Sequence, residues 1–239
     1  MQPELVFLHQ NWLIMNNNSA IIGRKKEIQK LDSITKSKKS EFLTVYGRRR
    51  VGKTFLIREY FDYTFDFQVS GLANADTTQQ LFNFDTVLQK QSHLVFDTPS
   101  SNWLIAFQRL MEHLESTKNK GKKVIFFDEL PWFDTPNSDF MMGLEHFWNS
   151  WATNRKDILL IVCGSAASWM VNVLINNDGG LHNRITQKIK IEPFTLKEAE
   201  EMLVAKNCVL DRYQIVQLYM VMGGIPYYLE AIQPHLSAT

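Results

Sequence analysis

The chain has 239 residues, of which 45% are hydrophobic and 21% are charged, with 26 Lys and Arg against 25 Asp and Glu. These values are typical of a folded globular domain and exclude a disordered chain. The net charge of +1 provides no overall field for nucleic acid or an anionic membrane, so any basic site must be local.

Cysteine usage and hydropathy indicate the compartment. Cys163 lies in the apolar run ILLIVCG and Cys208 beside helical sequence, without a disulfide framework or a metal-ligand spacing. No apolar stretch reaches the roughly 18–20 residues that a membrane span requires. We therefore expect a cytoplasmic protein with no membrane contact.

The N-terminal residues 1–18 differ in character from the rest of the chain. They contain LVFLHQNWLIM, in which polar residues interrupt the apolar run, and no basic region or cleavage site flanks it. A signal peptide is therefore not expected. We interpret residues 1–18 as an N-terminal extension, in which residues 1–14 either precede the natural start or form an apolar segment docked on the domain.

Helical and strand patterns alternate through the next part of the chain, which is typical of a parallel sheet with crossover helices on its faces. The predicted strands are 41–46, 65–70, 123–127, 157–163 and 185–191. The predicted helices are 23–37, 54–63, 77–90, 102–118, 138–154 and 165–175. We expect a three-layer α/β sandwich with a mainly parallel five-stranded sheet, in a core domain of residues 19–193.

After Pro193 only helical patterns follow, over 195–206, over 211–222 and from Pro226 onward. Thr195 and Glu198 have the spacing of a capping box, which predicts where the first of these helices begins. We interpret residues 194–239 as a helical lid that is incomplete.

The strongest motif follows the first strand and matches GxxxxGK[ST], a phosphate-binding loop or P-loop. Its residues are Gly47, Arg48, Arg49, Arg50, Val51, Gly52, Lys53 and Thr54. The glycines let backbone N–H groups point at phosphate oxygens above the positive end of the following helix. Lys53 is expected to bridge β- and γ-phosphates, and the Thr54 hydroxyl to hold Mg²⁺.

A carboxylate pair, Asp128 and Glu129, ends the apolar strand VIFF. Open α/β sheets bind ligands at this edge. We predict that Asp128 holds Mg²⁺, and that Glu129 orients and polarises the attacking water as a catalytic base. The alternative is that the pair only caps the strand before the turn at Pro131.

Two further candidates lie next to later strands: Ser165 follows the fourth predicted strand, and Arg184 stands after a Gly-rich loop at the start of the fifth. Ser165, after the strand DILLIVC, is a candidate for contacting the γ-phosphate or the water, the alternative being that Ser165 or Ser168 caps the next helix. Arg184 is a candidate for stabilising the charge of the transition state, and a solvated surface arginine is the alternative.

For the other polar residues, the sequence favours roles outside catalysis and metal binding. His113 and His146 lie in amphipathic helices without metal-ligand partners, which favours surface or satisfied polar roles. The run Arg48–Arg50 is interpreted mainly as solvent-facing charge that favours a triphosphate, with a contact to a neighbour or to nucleic acid left open.

Together these motifs resemble the archaeal-type ATPases of the AAA+/STAND group of P-loop NTPases. The segments that carry the resemblance are IIGRKKEIQKL, VYGRRRVGKTFLIREYF, VIFFDELPWF, IVCGSAASWM, LHNRITQKIKIEPF and GGIPYYLEAI. They span residues 21–232, which is almost the whole chain.

The resemblance implies a sheet of 51432 order, a Walker A role for Lys53 and Thr54, and a Walker B role for Asp128 and Glu129. It implies that Ser165 is similar to sensor 1 and that Arg184 acts in cis or in trans. The residues implied near the nucleotide base are Ile21, Ile22, Gly23, Arg24, Gly224 and Pro226. We add Phe55, which follows Thr54, to the nucleotide-binding candidates.

One departure from the family pattern concerns the C-terminal end. Members usually continue past the GGIPYYL segment into a winged-helix domain, often followed by a nuclease-like domain, whereas this sequence ends at Thr239. Partners such as DNA or protein, reached through those parts, therefore stay open, as does a homo-oligomer.

The leading hypothesis is a Mg²⁺-dependent ATPase that couples ATP binding and hydrolysis to movement of the lid. The alternative is a nucleotide-gated switch, or a DNA-associated regulatory module, with little hydrolysis of its own. ATP is preferred to GTP because no NKxD-type guanine motif follows the acidic pair.

Overall fold

The computed structural model describes residues 21–92, 94–118, 121–176 and 179–234. The predicted N-terminal extension lies outside these residues, as do the last five residues of the predicted lid. The chain contacts divide the fold into two compact units. One unit, here the sheet unit, comprises Lys30–Gly47 and Phe65–Lys190. The other, here the P-loop and lid unit, comprises Arg48–Thr64 with the segments that end at Gln29 and begin at Ile191.

The strands of the sheet unit are β1 (Glu41–Tyr46), β2 (Phe67–Ser70), β3 (Lys123–Asp128), β4 (Ile158–Gly164) and β5 (Gln187–Lys190). They form one five-stranded sheet in the order β2-β3-β4-β1-β5, and every pair is parallel. This confirms the α/β prediction and the 51432 order that the resemblance implies. The sheet is wholly rather than mainly parallel.

The burial of each strand agrees with its place in the sheet. Every residue of β3 and β4 is buried, as expected for central strands covered on both faces. In β5 only Ile189 is buried, because β5 pairs with β1 alone and lies at the edge of the sheet. The lysines of β5 face away from the core at this edge, where exposed charge discourages pairing with other strands.

The helices of the sheet unit are α3 (Thr77–Ser92), α4 (Trp103–Ser116) and α5 (Phe140–His146). Helix α1 (Lys25–Thr35) begins in the P-loop and lid unit and ends in the sheet unit. The core of the sheet unit is an aromatic cluster in which neighbouring ring centroids lie 4.9–6.5 Å apart. Its central members are Phe84, Trp103, Phe107, Phe127, Phe133 and Phe140.

Two predicted helices are less regular than expected. The helix predicted over 138–154 is α-helical only in α5, then widens to a π-helical turn at Phe147–Trp151 and tightens at Ala152–Asn154. The change accompanies burial of the consecutive side chains Phe147 and Trp148. The helix predicted over 165–175 begins at Ala167 as α6 (Ala167–Trp169) and continues as a π-helical segment, Met170–Ile175.

The P-loop and lid unit contains α2 (Lys53–Tyr60), α7 (Leu196–Ala205), α8 (Arg212–Met222) and α9 (Pro226–Glu230). The predicted capping box is confirmed, since Thr195 accepts from the Glu198 backbone while Glu198 accepts from that of Thr195. A second box, Asp211 with Gln214, begins α8. The helices pack through Phe194, Ala199, Met202 and Leu229 and through Leu203, Cys208 and Ile215. Within the described ranges, no helix combines the length and apolarity needed to cross a membrane.

Candidate functional site

The P-loop leads directly into α2. Gly52 precedes the helix at φ 90°, a left-handed conformation that disfavours residues with a side chain, and no atom lies within 4 Å of where its Cβ would stand. The requirement for glycine therefore comes from the backbone turn and not from lack of space. This turn leads into the first N–H groups of α2, at the end of the loop where the sequence predicts phosphate binding.

Lys53 lies inside the loop. Its side chain is only 5% exposed, and its Nζ donates a 3.0 Å hydrogen bond to the Arg48 carbonyl oxygen. A buried ammonium needs compensating partners, and an anion satisfies it better than a neutral carbonyl does. Thr54 is half-buried at the next position, while Phe55 is half exposed.

Arg24 is buried against the P-loop and lid segments of its own unit. Its guanidinium donates to the carbonyl oxygens of Val51, at 2.9 Å, and Glu192, at 2.7 Å. The guanidinium carbon also lies 4.7 Å from the centroid of the Phe194 ring. Burial lowers the pKa of Arg24, against the opposing effect of nearby glutamates. The guanidinium thus binds two backbone carbonyls and pairs with Glu27 at 3.7 Å, while its predicted role beside the base stays a prediction.

Gly23 and Ile22 lie against the lid helices. At Gly23, with φ 65°, a Cβ would approach the Glu198 carboxylate to 2.6 Å. Ile21 is buried, and Ile22 packs on the cluster that contains Phe194 and Leu229. The segment predicted to contact adenine is therefore joined to the lid by direct packing.

Glu198 binds two segments at once. Its Oε1 accepts from the Arg24 backbone N–H at 3.1 Å, and its Oε2 accepts from the N–H and hydroxyl of Thr195 at 2.8 and 2.9 Å. Burial by itself raises the pKa of this carboxyl. The Thr195 and Arg24 donors and the Arg24 charge outweigh burial, so the pKa lies below its ordinary value of 4.5.

Because the folded-state pKa of Glu198 is lowered, its stabilising effect is complete above its ordinary pKa and is lost as the pH falls through the folded-state value. Glu198→Gln should cost about 1–2 kcal/mol at pH 7, because one amide oxygen cannot serve both sets of donors. The variant should also show a flatter loss of stability below pH 4.5. Urea unfolding between pH 3 and 7 measures both effects, with Glu201→Gln on the same helix as the control. Parallel pH curves for wild type and Glu198→Gln would contradict the assignment.

Arg50 links the P-loop to the last lid helix within the same unit. Its guanidinium donates to the Tyr228 hydroxyl at 2.9 Å and lies 4.7 Å from the Tyr227 ring centroid. Pro226 occupies the first turn of α9, where its missing N–H costs nothing. Gly224 must be a glycine, because a Cβ at this position would overlap the Phe194 carbonyl oxygen.

The acidic pair lies at the carboxyl edge of the sheet unit. The register pairs Tyr46 with Gly164 and Phe127 with Val162, so the ends of β1, β3 and β4 meet at one edge. Asp128 is buried at the end of β3, and Gly47 and Ser165 directly follow β1 and β4. The structure therefore places the beginning of the P-loop, Asp128 and Ser165 on this edge.

Glu129 is held by Ser165 in this unit. Its Oε2 accepts from the Ser165 backbone N–H at 3.1 Å and from the Ser165 hydroxyl at 2.9 Å. The Glu129 backbone is left-handed, with φ 50°, which turns its side chain away from the line of β3. The alternative that Ser165 caps the next helix is wrong, since Ala166 precedes that helix and no side chain caps it.

The remaining predicted residues are exposed arginines and two histidines outside the carboxyl edge. Arg184 is exposed, and its backbone N–H closes a turn on the Leu181 carbonyl. Arg48 and Arg49 are exposed on the P-loop. His113 is buried with Nε2 at 2.9 Å from the Asp66 carbonyl oxygen, and His146 is exposed on α5, so they occupy the satisfied polar and surface positions that the sequence favours.

The predicted Mg²⁺ ligands fit the ion by donor type. Asp128 and Thr54 supply a carboxylate and a hydroxyl, hard oxygen donors of the kind Mg²⁺ prefers. Among the described residues, no cluster of three or more His, Cys, Asp or Glu could hold a metal. Nucleotide sites do not need such a cluster, because Mg²⁺ there takes one or two protein oxygens and completes its shell with phosphate and water.

Sequence reasoning missed the supporting contacts of the site. The Glu198 carboxylate on Arg24, the Arg24 bond to Val51 and the Tyr228 hydroxyl on Arg50 join segments far apart in the chain. Tyr228 lies in a motif that the sequence did single out, GGIPYYL. No local pattern marks its partner.

Comparison with known proteins decides the family. The profile of a family described as an ATPase domain predominantly from Archaea matches residues 21–232. The chain belongs to this family. The archaeal ATPase domain also resembles an uncharacterized protein of Methanocaldococcus jannaschii, with 26% identity over 215 residues. That match covers 89% of this chain and 44% of the relative, so the domain spans less than half of the relative's length.

Solved structures share the fold at low identity. The Walker-type ATPase of Pyrococcus abyssi has a TM-score of 0.63 and 17% identity, covering 87% of this chain and 65% of that one. The ORC2 protein of Aeropyrum pernix, solved in ADPNP-ADP complexes, has a TM-score of 0.58 and 14% identity, covering 87% and 60%. Cdc6p of Pyrobaculum aerophilum has a TM-score of 0.54 and 17% identity, covering 79% and 51%. At such identities, these likenesses show the fold alone.

Proposed function

We propose that this archaeal ATPase domain binds ATP with Mg²⁺ and hydrolyses it, and that the nucleotide state changes the position of the lid helices. The observation that carries the proposal is the P-loop itself, with Lys53 buried inside it and Gly52 turning the chain into α2. Family membership supports nucleotide binding. Both cysteines are buried thiols, which suits the cytoplasmic location that we propose.

Each residue has a distinct task in this proposal. The P-loop N–H groups and Lys53 bind the phosphates, and Thr54 with Asp128 would hold Mg²⁺, which when bound neutralises developing phosphate charge. Glu129 takes a proton from the attacking water at its carboxylate. Ser165 keeps that carboxylate in place through two hydrogen bonds. The shared carboxyl edge of β1, β3 and β4 supports this division of labour.

The lid helices supply the coupling. Arg50 belongs to the P-loop and binds Tyr228 of α9, so a change in loop conformation on phosphate binding alters a lid contact directly. The same contact favours the second candidate function, a nucleotide-gated switch with slow hydrolysis. The proposal also includes a homo-oligomer, in which Arg184 reaches a neighbouring site, and DNA or protein partners.

Mg²⁺-dependent ATP turnover per subunit, measured across a protein concentration series, tests the proposal, with Lys53→Ala as the blank. Turnover that rises with concentration supports an oligomeric ATPase in which an arginine, Arg184 being the candidate, acts between subunits. Constant turnover above the blank supports action in cis. Turnover at the blank level with ATP binding retained supports the switch, and absence of ATP binding overturns both functions.

A further inference from the structure

We infer that Arg24 is a positioning residue for phosphate binding, acting through the Val51 peptide of the P-loop. The inference rests on the proposed function and assigns the guanidinium to the triphosphate part of the ligand and not to its base. Arg24 is 6% exposed, and its Nη2 donates to the Val51 carbonyl at 2.9 Å in a buried hydrogen bond.

The peptide geometry transmits this contact. In a planar trans peptide the C=O and N–H bonds point in opposite directions. Holding the Val51 carbonyl on Arg24 therefore fixes the direction of the Gly52 N–H, one of the loop donors that point at phosphate. Since Gly52 has no Cβ, sterics restrict its φ less than that of any other residue, so the hydrogen bond to Arg24 adds a constraint that the Gly52 side lacks. Arg24 supplies that constraint before the ligand arrives.

A second set of contacts fixes the guanidinium itself. Its Nη1 donates to the Glu192 carbonyl at 2.7 Å and pairs with the Glu27 carboxylate at 3.7 Å, and its central carbon lies over the Phe194 ring, 4.7 Å from the centroid. Glu198 holds the Arg24 backbone N–H at 3.1 Å, in a left-handed conformation with φ 55°. The planar guanidinium of an arginine can donate to two carbonyls in fixed directions while it lies on an aromatic ring. A lysine ammonium cannot do both.

The charge of Arg24 is a competing explanation, because removing any cation near a triphosphate weakens binding. Arg24→Lys separates the two effects, since it keeps the charge and most of the stem but loses the planar fork. Arg109→Ala is the control for loss of an arginine away from the P-loop. Arg109 donates to the Thr98 carbonyl at 2.8 Å and lies 4.2 Å from the Phe96 ring centroid, and it also pairs with the Asp85 carboxylate at 3.0 Å within the sheet unit.

The test titrates ATP and inorganic tripolyphosphate, each with Mg²⁺, into the full chain and its variants by isothermal titration calorimetry. Tripolyphosphate has no base or ribose, so it reports on the loop alone. We expect Arg24→Ala and Arg24→Lys to weaken both ligands by a similar factor of about ten or more, the loss typical of a buried hydrogen bond from a charged group. Millimolar guanidinium should restore part of the affinity to Arg24→Ala. Arg109→Ala should bind both ligands like the wild type.

Each outcome decides the inference. If the variants lose affinity for ATP but not for tripolyphosphate, Arg24 acts on the base and the inference is overturned. Wild-type affinity of the variants for both ligands would also overturn it. Wild-type affinity in Arg24→Lys alone would reduce the role to charge and also overturn it. If Arg24→Ala does not fold, Arg24→Lys with an unchanged melting temperature carries the test. Failure of the wild-type protein itself to bind either ligand would instead count against the proposed function.

Discussion

Replacing Lys53 with alanine should weaken ATP binding by about a hundredfold or more. The Lys53 ammonium is buried in the loop, where it donates to the Arg48 carbonyl, and a phosphate oxygen would give it a stronger, charge-assisted hydrogen bond than that carbonyl does. Alanine leaves the loop N–H groups in place but removes the charge-assisted hydrogen bonds, each worth about 1.5–3 kcal/mol. Titration of ATP by calorimetry measures the loss.

A suitable control for that experiment is Lys30→Ala. Lys30 is also a lysine that donates to a backbone carbonyl, that of Lys188 at 2.7 Å, but it lies in the sheet unit and outside the P-loop. We expect this variant to bind ATP as the wild type does. Unchanged ATP affinity in Lys53→Ala would remove the P-loop from the proposed function.

Glu129→Gln should retain ATP binding and lower the rate of hydrolysis by about 10²–10⁴-fold, the usual contribution of a general base. The substitution is nearly isosteric. The glutamine Oε1 can still accept from the N–H and hydroxyl of Ser165, so the side chain keeps its position while losing its basicity. Single-turnover measurement of ADP formation from bound ATP separates this effect from any change in affinity.

Two companion variants sharpen the result. Ser165→Ala removes the 2.9 Å hydroxyl bond to Glu129 but leaves the 3.1 Å backbone bond, so its rate should lie between those of wild type and Glu129→Gln. Glu112→Gln, at an exposed position of α4, should hydrolyse ATP at the wild-type rate. Hydrolysis by Glu129→Gln at the wild-type rate would exclude Glu129 as the base.

Local sequence was a good guide to the elements. The strand predicted over 41–46 is the observed β1, and the Thr195 capping box begins α7 as expected. These features depend on residues within a few positions of each other, so they can be predicted without knowledge of the rest of the fold. The departures occur at Phe147–Trp151 and Met170–Ile175, where π-helical turns replace a regular helix that the apolar spacing alone predicted.

The candidate site divides in the same way. The sequence by itself determined the P-loop, the Asp128 and Glu129 pair and the lid helices, because backbone turns and strand ends depend on short motifs. Only the tertiary structure decided that Arg24 binds Val51, that Glu198 holds Arg24, and that Ser165 holds Glu129. These pairs lie far apart in the chain, so their partners are chosen by packing, which places a buried donor opposite the nearest available acceptor.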